Sequence, residues 1–245
     1  MAKAAQVSKL KPAACTGHGC VGSWTDPEMI ALMRNEARPV ITSFLKQQDL
    51  ETPHFVEGDV VIHYRCGDVI SSNNPQYGLI PFKWYKENIP ASAKRLILVG
   101  NFKASREVDK KGEGMCAIIK NAFVQYLTDA LELPISLRSN SVNEDFAAMM
   151  FAPVLISSIS TFSLWAGMLS KQKVILPRCS LFFHCETPMI AGISWANVTM
   201  LESNEITELD RPAKVLSALT AKTLKEYEDI IDHMTYEQTT CVKRS

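Results

Sequence analysis

The chain has 245 residues, of which 47% are hydrophobic and 21% charged, and its 26 Lys and Arg balance its 26 Asp and Glu. These shares are ordinary for a globular protein and argue against intrinsic disorder. A net charge of zero gives no long-range attraction to nucleic acid or to an anionic membrane, so neither is an expected partner. Seven cysteines are too few for a disulfide-rich scaffold, and their odd number predicts at least one free thiol.

Two stretches bear on membrane targeting. The N-terminus is positively charged but has no apolar run behind it, so we expect neither a signal peptide nor an anchor there. Residues 147–170 carry no charge and are numerous enough to cross a bilayer. However, Pro153 interrupts this stretch and five hydroxyl residues cluster in its middle. The pattern favours a short helix, a buried strand, a polar turn and a second helix over a membrane span.

The first part of the chain predicts a lead-in followed by helix. Residues 1–24 predict loosely ordered chain, whereas Asp26 and Pro27 are typical of a helix start. Helical spacing continues, with a restart at Pro39, to about Gln48. We interpret residues 1–54 as an N-terminal region that precedes one domain over residues 55–245.

Strands and helices alternate from residue 59 onward. Predicted strands are 59–63, 95–100, 135–138, 154–156 and 173–176. Predicted helices are 81–88, 115–131, 143–151, 161–169 and 218–234, the third of them capped by Ser141 or Asn143. Apolar strands that alternate with helices predict an α/β fold, a Rossmann-like parallel sheet with helices on both faces.

Several familiar motifs are absent or lack their context. Gly17, Gly19 and Gly22 satisfy G-x-G-x-x-G, but no strand precedes them, so a flexible loop is the favoured interpretation. Two groups of cysteine and histidine lack the spacing and the fourth ligand of a zinc site: Cys15, His18 and Cys20, and Cys179, His184 and Cys185. The chain has no P-loop and no nucleophile elbow, so these two chemistries lack their signatures. It also has no Asp-x-Asp, the metal clamp of many nucleotide-sugar enzymes.

One polar motif stands where a predicted strand ends. His63, Arg65, Gly67 and Asp68 follow the strand over 59–63. Ligands of open α/β sheets bind outside such carboxyl ends, and an arginine offers a planar, permanently charged fork to phosphate oxygens. A purely structural Arg–Asp pair at a strand end explains the spacing equally well.

A second polar motif joins a predicted strand to a predicted helix. Ser160, Thr161, Phe162 and Ser163 form a hydroxyl-rich turn at the N-terminus of the helix over 161–169. The N–H groups of a first helical turn, together with hydroxyls, can cradle a diphosphate. The alternative is helix capping by Ser160 or Thr161, which needs one hydroxyl only.

An acidic residue lies between these two motifs in the sequence. Asp145 follows another strand end and stands in the first turns of a predicted helix. Its carboxylate could accept hydrogen bonds from the N1–H and the exocyclic amine of a guanine. It could equally be an acid that only favours the positive end of the helix dipole.

Together and in this order, the three segments resemble the donor-binding motifs of fucosyltransferases, a group that includes α1,2-, α1,6- and protein O-fucosyltransferases and bacterial relatives. The first family motif, His-x-Arg-x-Gly-Asp, is matched by His63, Arg65, Gly67 and Asp68. The third, a Ser-[Ser/Thr]-Phe-Ser turn entering a helix with Trp, is matched by residues 160–163 and Trp165. Asp145 stands where the acidic second motif falls, and many relatives carry a second Arg where this chain has Cys66.

The resemblance, which covers roughly residues 55–180, implies the donor-binding half of a GT-B glycosyltransferase. It implies an inverting enzyme that binds GDP-fucose without metal and passes fucose to a hydroxyl of a glycan or glycoprotein. Arg65 would be the catalytic cation on the β-phosphate, His63 and Asp145 would contact the guanosine, and residues 160–163 would hold the diphosphate. The family implies the Golgi, whereas the lack of an anchor implies the cytoplasm if the chain is complete.

Two alternatives remain open from the sequence. The short region before the first motif favours a non-catalytic remnant that binds a nucleotide sugar, and the same strand ends could serve another anionic ligand. Asp68, Glu57 and His54 lie near the first motif in the sequence, but that proximity does not identify a general base.

Overall fold

The computed structural model describes residues 27–48, 54–72, 77–100, 110–178, 190–202 and 212–221, together with Ile206 and Glu226. The lead-in over 1–24, the glycine motif and both groups of cysteine and histidine fall outside these residues. So does most of the predicted helix over 218–234.

The N-terminal helical region is continuous, with one local change of winding. Helix α1 (Pro27–Leu32) leads into a π-helical segment (Met33–Ala37) and then into α2 (Arg38–Gln47). The predicted start and end are therefore confirmed. Pro39 is the second residue of α2, directly after the π-helical segment, and it has no N–H to donate to the preceding turn.

The predicted α/β class is confirmed by a parallel sheet of six strands in the order β4-β3-β1-β5-β6-β7. A separate antiparallel pair joins β2 to β8. The strands are β1 (Asp59–His63), β2 (Gly78–Leu79), β3 (Arg95–Val99), β4 (Ile135–Arg138), β5 (Val154–Ile156), β6 (Lys173–Arg178), β7 (Ile193–Asn197) and β8 (Leu201–Glu202).

The helices that follow the strands pack around this sheet. They are α3 (Asp68–Ser71), α4 (Phe82–Asn88), α5 (Lys110–Leu131), α6 (Val142–Phe151), α7 (Thr161–Leu169) and α8 (Pro212–Thr220). The cap of α6 is Ser141 rather than Asn143, because Ser141 and Glu144 form a reciprocal capping box. The expected helix–strand–turn–helix order over 147–170 is confirmed, and within the described residues no helix is long and apolar enough to cross a membrane.

Two sequence predictions need correction. Helix α5 begins at Lys110 rather than at residue 115. Residues 218–220 belong to a helix that begins at Pro212 and ends at Thr220, so no helix begins at residue 218. Strand β7 was not predicted. It is an edge strand whose residues, apart from Ile193, are half-buried or exposed, and its sequence, Ile-Ser-Trp-Ala-Asn, is not a continuous apolar run.

An ion pair joins the amino ends of the neighbouring strands β1 and β3. Asp59 is fully buried and accepts hydrogen bonds from the Arg95 guanidinium and, at 2.9 Å, from the Val56 N–H. Burial alone would raise the pKa of Asp59, but these hydrogen bonds and the charge of Arg95 outweigh it and hold the pKa below its usual value. This pair lies at the end of the sheet opposite to the polar motifs.

The N-terminal helices are attached to the end of α7 by two arginines. Arg34 donates to the carbonyl oxygens of Met168 and Ala191, both at 2.9 Å, and Arg38 donates to that of Leu169 at 2.7 Å. The carbonyls at a helix C-terminus lack partners within the helix and carry partial negative charge. The two guanidinium groups therefore cap α7 and fix the N-terminal region against the domain.

Candidate functional site

A cleft opens where the strand order changes direction. From β1 at the centre, the chain continues to β3 and β4 on one side and to β5, β6 and β7 on the other. The carboxyl ends of β1 and β5 therefore flank a topological switch point, the usual ligand position in such sheets. The cleft has a volume of about 570 Å³ and is lined by residues that follow four strands: His63–Asp68 after β1, Val99 and Gly100 after β3, Ser139, Asn140, Val142 and Asp145 after β4, and Ser160 and Phe162 after β5.

The structure brings Arg65 and the turn before α7 together. The Arg65 Nη1 donates to the carbonyl oxygen of Ile159 at 3.3 Å, directly beside Ser160. Its Nε and Nη2 donate to the two carboxylate oxygens of Asp68, the former at 3.1 Å. These bonds use three of the five donors of a guanidinium. The Arg–Asp pair considered from the sequence is thus present, within a site that also contains the second motif.

Arg65 keeps its charge in this position. Burial alone would lower its pKa, but the Asp68 carboxylate and the Tyr77 hydroxyl more than compensate, so the pKa lies above its usual value. The guanidinium carbon also lies 4.9 Å from the centre of the Tyr77 ring, a cation–π distance. Tyr77 was not recognised from the sequence, where nothing connects an isolated tyrosine with a motif twelve positions earlier.

His63 is buried at the floor of the cleft. Its Nδ1 is 2.7 Å from the Ser158 Oγ, and the ring lies 6.3 Å from that of Phe162. Burial, with a smaller contribution from the Arg65 charge, lowers the pKa of His63 to about 3. The imidazole is therefore neutral at neutral pH and suited to hydrogen bonding rather than to pairing with an anion.

This burial of a neutral histidine predicts acid sensitivity. The pKa of His63 is about 3 in the folded protein and about 6.5 in the unfolded chain. Between these two pH values the unfolded chain binds more protons, so the free energy of unfolding decreases as the pH falls. Between pH 7 and pH 5 the loss should be about 2 kcal/mol in free energy of unfolding. Urea unfolding at both pH values should show this loss in wild type and a smaller loss in His63→Gln. Equal losses in both proteins would mean that His63 does not cause the acid sensitivity.

The hydroxyls of the second motif have different roles. Ser157, Ser160 and Ser163 form a buried chain in which the Ser157 Oγ donates to the Ser163 Oγ at 2.7 Å and the Ser163 Oγ donates to the Ser160 carbonyl at 3.2 Å. Ser163 therefore lies beneath the cleft, and only its backbone could face a ligand. Ser160 lines the cleft, whereas Thr161 and Ser163 do not contribute to its lining.

The first turn of α7 has no side-chain cap among the described residues. Ser160 occupies the N-cap position but accepts no hydrogen bond from the first turn. The alternative of simple capping by Ser160 is therefore not what the structure shows. Phe162 from the same turn lines the cleft and contacts Phe146, at 5.4 Å between ring centres, which provides an apolar wall beside the polar floor.

Asp145 enters the cleft from α6. It is 7% exposed, accepts from the Asn140 backbone N–H at 3.3 Å and lies 3.9 Å from the Arg138 Nε. Burial raises its pKa above the usual value, against the opposing effects of the Asn140 N–H and the Arg138 charge. Since Glu144 supplies the capping carboxylate of this helix, Asp145 is not needed for that role.

The loop that carries Arg65 is cross-linked to a helix. Cys66, 2% exposed, forms a disulfide with Cys116, 1% exposed, on α5. The sequence gives no basis for choosing this pair among seven cysteines. The available signals were weak: Cys66 adjoins a polar motif, and Cys116 stands on the apolar side of an amphipathic helix.

Comparison with family models, with curated proteins and with solved structures gave no match to this chain. Among the described residues, no group of three or more metal-ligating side chains comes together. What the fold and the site define is an α/β protein with a polar cleft at its switch point, centred on one arginine and one helix N-terminus.

Proposed function

We propose that this chain is an inverting, metal-independent glycosyltransferase that transfers fucose from GDP-fucose to a hydroxyl of a glycan or glycoprotein. One observation supports this proposal above all. Arg65 at the end of β1 and the turn that begins α7 share a cleft and a direct hydrogen bond, through the Ile159 carbonyl. A diphosphate placed there would meet a fixed cation and the N–H groups of a helix N-terminus together.

The chemistry needs such an arrangement. In the proposed step the acceptor oxygen bonds to the anomeric carbon of fucose, and the carbon–oxygen bond to the β-phosphate breaks with its electron pair moving to the phosphate. Negative charge then grows on the leaving diphosphate, where Arg65 and the first turn of α7 would stabilise it. Attack from the face opposite the leaving group inverts the anomeric centre. The acceptor proton must pass to a base, and of Asp68, Glu57 and His54 only Asp68 lines the cleft.

The nucleoside end of the donor would occupy the part of the cleft formed by His63, Asp145 and Phe162. The aromatic ring supplies a stacking surface, the neutral imidazole a hydrogen-bonding group and the carboxylate an acceptor for the guanine edge. The disulfide supports placing the protein in an oxidising compartment, in line with the Golgi of the family it resembles.

The Asp145→Asn variant tests the proposed contact between Asp145 and the guanine base. In Asn, an NH2 donor replaces one of the two acceptor oxygens, so it would face one of the two N–H donors of the guanine edge. We therefore expect GDP affinity to fall by about 10- to 100-fold. Isothermal titration with GDP and with inorganic pyrophosphate measures the effect, and pyrophosphate affinity should not change. Glu144→Gln, one residue away in the exposed capping box, is the matched control and should bind GDP as wild type does. Unchanged GDP affinity in Asp145→Asn would contradict the proposed base contact.

Catalysis and binding are separated by measuring both on one preparation. Release of fucose from GDP-fucose, to water or to a mixture of glycan acceptors, should accompany GDP binding in the presence of a chelator. GDP binding without turnover would instead favour the non-catalytic remnant. Tighter binding of a phosphate compound without guanosine would indicate a different anionic ligand for the same strand ends.

A further inference from the structure

The loop that carries Arg65 is held by covalent and non-covalent contacts on both sides. Four residues, 64–67, connect β1 to α3, which begins at Asp68. Gly67 has a φ of +25°, a backbone conformation that other residues rarely adopt. The Arg65 guanidinium lies against the Tyr77 ring and pairs with the Asp68 carboxylate.

On the opposite side of this loop, Cys66 is tied to the interior. Its disulfide partner Cys116 belongs to α5, a helix of 22 residues that packs its Ile119, Phe123 and Leu127 into the core. The Gly67 N–H lies against the Cys116 sulfur, and the Val69 N–H donates to the Cys66 carbonyl at 2.7 Å. The backbone on either side of Arg65 is thus fixed, by strand β1 before it and by the cross-link after it.

The position of this cross-link matters because electrostatic stabilisation depends on donors that are already in place when charge develops. A short loop with a glycine has many accessible conformations, and a displacement of about 1 Å at a reacting centre can cost 100-fold in rate. Cys66 is covalently adjacent to Arg65, so the bond constrains the backbone from which the guanidinium extends.

We infer that the Cys66–Cys116 disulfide is a positioning device for the anion site, which makes diphosphate binding dependent on its oxidation. Exchange with a dithiol reduces the disulfide to two thiols and oxidises the dithiol to its own cyclic disulfide, a transfer of two electrons and two protons. In the reduced protein the loop is held by hydrogen bonds alone, and Arg65 no longer has one fixed position. The inference rests on the diphosphate site proposed above.

The test compares oxidised wild type with two preparations that lack the cross-link. These are the double variant Cys66→Ala/Cys116→Ala and wild type reduced with dithiothreitol, which keeps both side chains. Peptide mapping establishes the linkage in each, circular dichroism establishes folding at 10 °C, and titration at that temperature measures the affinity for inorganic pyrophosphate and for GDP in a chelating buffer. We expect both affinities to fall at least tenfold without the cross-link, and added dithiothreitol to change nothing in the double variant.

The variant Leu127→Ala tests whether the disulfide acts only by stabilising the fold. Because Leu127 is 1% exposed, its truncation should destabilise the same helix at a position away from the cleft. This control should lose stability but keep its pyrophosphate affinity. Equal pyrophosphate affinity with and without the cross-link, a parallel loss in Leu127→Ala, or Cys66 and Cys116 unlinked in oxidised wild type would each overturn the inference. Wild type that binds pyrophosphate but not GDP, with the redox dependence intact, would contradict the proposed function and leave the inference standing.

Discussion

Arg65→Ala should abolish most fucosyl transfer while leaving the fold largely intact. Removal of one preorganised group that stabilises developing charge typically costs about 100- to 1,000-fold in turnover, or about 2.7–4 kcal/mol. The partner Asp68 is half-exposed, so loss of the ion pair should lower the free energy of unfolding by only about 1 kcal/mol. Turnover of GDP-fucose and urea unfolding of the same preparations measure the two effects.

Arg95→Ala is the matched control at the other end of the sheet. Like Arg65, Arg95 is paired with a carboxylate, and its removal leaves the buried Asp59 without its cation. We expect a loss of about 1–3 kcal/mol in stability and unchanged GDP affinity in the folded protein. Arg65→Lys retains the charge without the planar fork and should restore part of the activity. Near wild-type turnover in Arg65→Ala would count against the assignment.

Removal of the disulfide should give the largest change in stability. Cys66 and Cys116 are separated by 50 residues, and closing a loop of this length stabilises the folded state by about 4 kcal/mol in the chain-entropy model. Urea unfolding of the Cys66→Ala/Cys116→Ala protein against oxidised wild type measures this difference. Reduced wild type, which retains both sulfurs, separates the effect of the cross-link from the lost side-chain volume.

The expected order of stability is oxidised wild type, reduced wild type and then the double variant. A reduced protein as stable as the oxidised one would mean that the cross-link does not constrain the unfolded chain. The double variant would then owe any remaining loss to the two small cavities left beneath the Arg65 loop.

The sequence was most informative where local pattern and burial agree. Strands β1 and β5 and helix α7 have the predicted bounds, because an apolar run or a helical period ends abruptly at polar residues in each. Strand β4 also has its predicted bounds, although its sequence, Ile-Ser-Leu-Arg, alternates and is only half-buried or exposed. Edge strand β7 has no such run, and β2 and β8 are only two residues long, so their pairing depends on tertiary contacts that the sequence does not display.

In the candidate site, too, the local sequence predicts some features, and others depend on tertiary contacts. His63, Arg65 and Ser160 were recognisable because polar side chains follow strand ends, whereas the lining residues after β3 and the lining residues 139, 140 and 142 after β4 were not predicted. The role of each residue depends on three-dimensional packing. The Ser163 hydroxyl is hydrogen-bonded to Ser157, and the Tyr77 ring packs against the Arg65 guanidinium. The Cys66–Cys116 bond depends on a distance of 5.8 Å between Cα atoms that no spacing rule supplies.

We propose that Arg65 and the start of α7 together bind the diphosphate of GDP without metal. A thermal-shift panel of GDP, UDP, CDP and their sugars, with and without EDTA, tests it most directly. A ligand at 100 times its dissociation constant should add about 2.7 kcal/mol of stability. We expect GDP and GDP-fucose to stabilise the protein most, and EDTA to leave the shift unreduced. No shift with GDP, or a shift that EDTA removes, would contradict it.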